Sequence, residues 1–164
     1  MNNNKNIYIL SRPIRTGKTS QLSDWAKDRV NIGGLLTPDV NGSRMIFDLR
    51  LKTFHSFEVK DTYSGEKVTI GHFLFAKSAF AKAQDILMDA LLQSLDWIII
   101  DEVGKLEIEQ GEGLEPSVLR VVRAFQSGLI AGKLLLVIRD TLLEMAIEKY
   151  ELVGCRILTN KLPD

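Results

Sequence analysis

Apolar positions along this chain follow two rhythms. Residues 6–10, 97–100 and 134–138 form short, almost unbroken apolar runs, as expected of strands covered on both faces of a parallel sheet. Between them, apolar residues recur at helical spacing. Leu22, Trp25, Ala26 and Val30 mark a helix over 18–30. Ala76, Ala79, Phe80, Ala83, Ile86, Leu87, Ala90 and Leu91 mark a longer one. A third begins near Pro116 and buries Val118, Val121, Val122 and Phe125. A fourth, capped by Asp140, carries Leu143, Ala146, Ile147 and Tyr150. Residues 33–37 read as a short strand stopped by Pro38, and 155–159 as the last strand.

The middle of the chain changes period. Met45, Phe47, Leu49 and Leu51 alternate with Arg44, Asp48 and Arg50, the signature of a half-buried antiparallel strand entered through Asn41-Gly42. Residues 54–59 and 68–75 are its expected partners, with Ser64-Gly65 between them. No flexible linker bounds this part, so it reads as a β insertion over roughly 41–75 within one domain spanning 1–164. Strands alternating with helices at both ends predict an α/β fold with a mainly parallel sheet, flanked by helices and joined by right-handed crossovers.

Composition narrows the partners. With 45% apolar and 26% charged residues, a full core is available. Lys plus Arg and Asp plus Glu both number 21, so no excess of positive charge points to nucleic acid or to an anionic membrane. Cys155 stands alone, which rules out an intrachain disulfide. No apolar run approaches the ~20 residues of a membrane helix, and residues 1–5 are polar. A cytoplasmic location is the expectation.

The chemistry begins at Ser11-Arg12-Pro13-Ile14-Arg15-Thr16-Gly17-Lys18-Thr19-Ser20, which follows the first strand and opens the first helix. Strand, loop, Gly-Lys-Thr, helix is the order of a P-loop. Unsatisfied N–H groups and the positive dipole end of a helix start bind anions. Arg15, Thr16, Gly17, Lys18, Thr19 and Ser20 are therefore the expected nucleotide-binding residues. Lys18 would reach the β- and γ-phosphates, and the Thr19 hydroxyl would ligate Mg²⁺. Arg12 stands where the usual loop has its first glycine. It either stiffens the loop or, like Arg15, adds positive charge near the phosphates; a solvated loop arginine is the plain alternative.

Asp101-Glu102 ends the strand over 97–100, on the edge where open α/β sheets bind ligands. Asp101 is expected to orient the Mg²⁺ shell and Glu102 to activate water as a general base, so Lys18, Asp101 and Glu102 form the expected catalytic set. Arg139 ends the strand over 134–138 on the same edge, placed either as an internal arginine finger or as a surface residue. Asn160-Lys161-Leu162-Pro163-Asp164 is one residue too long for a guanine-reading box. His55 and His72 lack metal-ligand spacing, and Trp25 and Trp97 read as core.

Asp101-Glu102-Val103-Gly104-Lys105-Leu106-Glu107 resembles the Asp-Glu-Ile-Gly-Lys-Met-Glu signature of the small P-loop nucleoside-triphosphatases called THEP1. Residues 33–37, Gly42-Ser43-Arg44, Phe47-Asp48-Leu49 and residues 71–80 resemble further segments of that family, and the likeness becomes diffuse after Glu107. The resemblance implies a RecA-like or kinase-like sheet and slow, Mg²⁺-dependent hydrolysis of ATP, GTP and other nucleoside triphosphates. It maps Gly17, Lys18 and Thr19 to the phosphate loop, Asp101 to the Mg²⁺ carboxylate and Glu102 to the base. Gly104, Lys105 and Glu107 match the rest of the signature without a derivable role. Arg12 and Arg15 depart from it, falling where the family has glycine. Two rival functions remain: a small kinase for a nucleoside, nucleotide or other metabolite, and a nucleotide-binding regulatory module with little turnover.

Overall fold

The computed structural model describes residues 3–13 and 15–164; residues 1 and 2 of the polar N-terminal tail and residue 14 of the phosphate loop lie outside them. In chain order the elements are β1 (Ile7–Arg12), α1 (Lys18–Ala26), β2 (Ile32–Leu36), β3 (Asp39–Val40), β4 (Ser43–Asp48), β5 (Thr53–Ser56), β6 (Lys67–Ile70) and β7 (Phe73–Ala76). There follow α2 (Lys77–Leu91), β8 (Trp97–Ile100), α3 (Lys105–Ile108), α4 (Ser117–Gln126), β9 (Lys133–Arg139), α5 (Leu143–Lys149) and β10 (Arg156–Leu158).

Five strands form a parallel set in the order β10-β1-β9-β8-β2, and β4 then pairs antiparallel to β2. β3 and β5 both pair with β4, so part of the insertion extends the main sheet, while β6 and β7 form a separate hairpin. The fold is thus the expected mainly parallel α/β sheet with an antiparallel insertion.

Strand alternation divides the core between the two faces. Ile7, Ile9, Ile98, Ile100, Leu134 and Leu136 pack against α2 and α4 through Phe80, Ala83, Leu87, Val118, Val121 and Val122. Tyr8, Leu10, Trp97, Ile99, Leu135 and Val137 face α1, whose Leu22 and Ala26 are buried against them. Each fully buried aliphatic side chain contributes about 1.5–3 kcal/mol of transfer free energy. This anchors α1 across the sheet and fixes its first turn at the C-terminal end of β1.

Several expectations change in detail. The first helix stops at Ala26 with Lys27 as its C-cap, so Val30 falls in the following loop and is 97% exposed. In β4 the phase is reversed: Ile46 and Asp48 are buried, while Met45 and Phe47 are half-buried. The strand also ends early, because the Asp48 carboxylate accepts the N–H groups of Arg50 and Leu51 and turns the chain, leaving Leu51 exposed. Residues 68–75 are two strands that reverse at Gly71-His72. The loop over 104–113 contains the helical turn α3. Asp140 does not cap α5; it opens a 3₁₀ turn, Asp140–Leu142, and accepts the N–H of Thr141 at 2.9 Å.

Candidate functional site at the sheet edge

β1 and β8 both end at the same edge of the sheet, separated by β9. α1 starts there, with Gly17 at its N-cap in the left-handed region (φ 78°), where a Cβ would meet no heavy atom within 4 Å. Glycine supplies this turn without strain, and the open space beside it leaves room for an anion against the helix start. Arg15 is exposed and also left-handed (φ 60°), so an arginine occupies a conformation that glycine adopts more easily.

The Lys18 ammonium folds back over the loop and donates to the carbonyls of Pro13 at 2.8 Å and Arg12 at 3.3 Å. Thr16 closes the turn through its hydroxyl, which donates to Pro13 at 2.8 Å. Partial burial, and then the neighbouring Arg12 guanidinium, hold the Lys18 ammonium below its usual pKa. Arg139 repels it as well, while Glu102 and Asp101 act in the opposite direction. β1 and β9 place Arg12 and Arg139 at paired register positions, and Arg12 Nε and Nη2 are buried without a hydrogen-bond acceptor. Arg12, Lys18 and Arg139 thus bring three positive charges together beside the loop. Ser20 is exposed in the first turn of α1.

Across the edge, the Thr19 hydroxyl donates to Asp101 Oδ2 at 2.8 Å. The same oxygen accepts the Thr37 N–H at 3.0 Å and the Thr37 hydroxyl at 3.3 Å. Asp101 Oδ1 is buried and has no hydrogen-bond partner. Complete burial, with Glu102 next, pushes the Asp101 carboxyl up to about 6, against the hydrogen bonds from Thr37 and Thr19. The Thr19 hydroxyl and the Asp101 carboxylate, whose Oδ1 is left without a partner, are hard oxygen donors of the kind a small divalent cation takes. Glu102 follows in the left-handed region (φ 59°), paired with the Arg44 guanidinium and within 3.3 Å of the Thr37 hydroxyl.

Thr37 and Arg44 were not legible as site residues. Thr37 directly follows β2, which pairs with β8, and Arg44 enters from β4; only the strand pairing brings either of them to the acids. Glu107 acquires a role as well. Its buried carboxylate accepts the Gly104 N–H at 2.9 Å and the Leu114 N–H at 3.0 Å, pinning the loop that leaves the site. Gly113 lies so close that a Cβ there would sit 2.0 Å from Glu107 Oε2. Lys105 is exposed at the start of α3.

Other candidates lie elsewhere. Gln21 donates to the Asn160 carbonyl at 2.6 Å, and Trp25 and Arg29 both donate to the Pro163 carbonyl, which lays residues 160–163 along α1. Trp97 is buried, with its ring edge-on to half-buried Trp25 at 5.2 Å. His55 contacts Thr53 on β5, and His72 lies against Phe73. Among the described residues no helix is long and apolar enough to cross a membrane.

A phosphate-binding loop opposed by a strand-end acid on a parallel sheet defines a P-loop nucleotide-binding protein. A family model described as NTPase matches residues 7–150, and the chain belongs to that family. Its fold is similar to that of THEP1 from the hyperthermophile Aquifex aeolicus, with a TM-score of 0.66 and 17% identity, covering 93% of this chain and 88% of the other. A comparison with curated proteins finds no match.

Proposed function

We propose that this P-loop NTPase, working as a single domain over residues 1–164 with its β insertion over roughly 41–75, hydrolyses a nucleoside triphosphate such as ATP or GTP to the diphosphate and phosphate. The observation that carries the reading is the 2.8 Å contact between Thr19 and Asp101, which joins the phosphate loop to the acids ending β8. Family membership over residues 7–150 supports it.

In this reading Gly17, Lys18, Thr19 and Ser20, with Arg15 and Thr16, wrap the phosphates through backbone N–H groups and the Lys18 ammonium. Thr19 and Asp101 would hold Mg²⁺, which supplies neutralisation of charge on the phosphate oxygens. Lys18 exchanges its two carbonyl acceptors for phosphate oxygens. Glu102 accepts a proton from the water that attacks the γ-phosphorus. The bond to the β,γ-bridging oxygen breaks, and the diphosphate leaves with its electron pair. The role is that of a cytoplasmic enzyme needing neither nucleic acid nor membrane.

The test is phosphate release from ATP and GTP with Mg²⁺ for the wild type, Lys18→Ala and Glu102→Gln. Removing a general base costs on the order of 10²–10⁴ in rate, so Glu102→Gln should bind nucleotide and turn it over at least about a hundredfold more slowly. Unchanged turnover in Glu102→Gln removes the base assignment. Label transfer that appears only when a nucleoside or metabolite acceptor is added would make the protein a kinase.

A further inference from the structure

We propose that Arg44, carried in by the β insertion, is a positioning residue that aims the Glu102 carboxylate at the phosphate site; this rests on the reading of Glu102 as the base. Glu102 is poorly constrained by its own surroundings. Its side chain is 42% exposed and its backbone sits at φ 59°, a region costing a non-glycine residue about 1–2 kcal/mol. A glutamate in such a place would sample several rotamers, and the entropy of fixing it has to come from specific partners.

Two partners are present. The Thr37 hydroxyl lies 3.3 Å from Oε2, and the Arg44 guanidinium forms an ion pair with the same oxygen. Arg44 is itself well held. Its N–H donates to the Glu58 carboxylate at 2.8 Å, its carbonyl accepts the Glu58 N–H at 3.0 Å, and it pairs with Asp39 across β3 and β4. The guanidinium therefore stands on a strand anchored from both sides, and Glu102 is the flexible member of the pair.

The magnitude argues for orientation over stability. With side chains 32% and 42% exposed, such a pair contributes about 0–1 kcal/mol to folding. Aiming a base costs the fold little, yet misaiming it by about 1 Å can cost on the order of a hundredfold in rate. Oε2 accepts from the Arg44 guanidinium and lies 3.3 Å from the Thr37 hydroxyl, whose single proton it shares with Asp101 Oδ2; Oε1 is left as the oxygen available to a water.

Steady-state phosphate release by Arg44→Ala, Arg44→Lys, Glu102→Gln and the double variant Arg44→Ala/Glu102→Gln tests this, with thermal melting of each. Arg44→Ala should lower kcat about tenfold or more and leave KM within about threefold, because the lost interaction acts only on the chemical step. Arg44→Lys should recover part of the loss. In the Glu102→Gln background Arg44→Ala should have no further effect, the non-additivity expected of residues acting through one another. Should Arg44→Ala melt early, Arg44→Gln supplies the same reading. An unchanged kcat, a change in KM alone, or an equal fold-loss with and without Glu102 overturns the proposal. A Glu102→Gln chain as fast as wild type overturns the base assignment itself, and the proposal with it.

Discussion

Thr19 and Asp101 lie 82 residues apart in the chain and 2.8 Å apart in space, with the hydroxyl donating to the carboxylate. The contact joins the start of α1 to the end of β8, two elements that share no backbone pairing. It joins the two halves of the proposed nucleotide site.

Asp101 lets function and stability be separated. Its Oδ1 is buried without a partner, an arrangement that costs about 1–3 kcal/mol. Asp101→Asn keeps the shape and removes the charge. Nucleotide turnover should fall about a hundredfold or more, as when a charge-stabilising group is lost, while the melting temperature without nucleotide stays level or rises. Calorimetry alongside phosphate release checks both, and a clear drop in melting temperature would count against this account.

Arg12 calls for a different substitution. Its Nε and Nη2 are buried with no acceptor, and Lys18 and Arg139 are like-charged neighbours. Phosphate oxygens would satisfy the guanidinium. Arg12→Met, which keeps the aliphatic stem, should raise stability without nucleotide and weaken triphosphate binding about tenfold, the scale of a charge-assisted hydrogen bond of ~1.5 kcal/mol. Titration calorimetry reads the affinity; tighter binding by Arg12→Met would show that the arginine only obstructs the loop.

Lys18→Ala removes the ammonium that caps the Pro13 and Arg12 carbonyls. Binding of ATP and GTP should weaken at least about thirtyfold, matching ~2 kcal/mol for a hydrogen-bonded charge, with little change in melting temperature, since the contacts lie at an exposed loop. Retained affinity would move the phosphates elsewhere.

Glu107 predicts a pH effect on stability. Burial raises its carboxyl to about 7, against the hydrogen bonds from Gly104 and Leu114. A carboxyl whose folded pKa lies above its unfolded value near 4.5 binds more protons in the native state, so its contribution is full below about pH 4.5 and is lost as pH rises through about 7. Denaturant unfolding from pH 4.5 to 8 should show wild-type stability declining relative to Glu107→Gln across that window. Parallel curves for the two chains would contradict it.

How much of this the sequence reveals depends on the range of the interactions. The strand at 97–100, the long helix at 77–91 and the phosphate loop are legible because each is set by local periodicity or a contiguous motif. The phase of β4 is not. Both of its faces carry apolar residues, and the choice of Ile46 over Met45 and Phe47 is made by pairing with β2. Arg44 and Thr37 stay hidden for the same reason: their segments resemble the family's, but no local motif gives either a role, and the sheet delivers them to Asp101 and Glu102. The opposite outcome holds for Glu107, whose residue type is visible in the signature but whose clamp on Gly104 and Leu114 needs the folded loop.

β9 has a quieter consequence. It stands between β1 and β8, so the gap between the phosphate loop and the acids is set by two interstrand spacings of about 4.8 Å each. Val137 also ties the far side of the gap through its carbonyl, which accepts the Val103 N–H at 2.9 Å. The spacing of the two strand ends is thus set by a strand that supplies none of Lys18, Thr19, Asp101 or Glu102. Repacking beneath Val137 would widen or narrow the jaws while leaving every tooth in place.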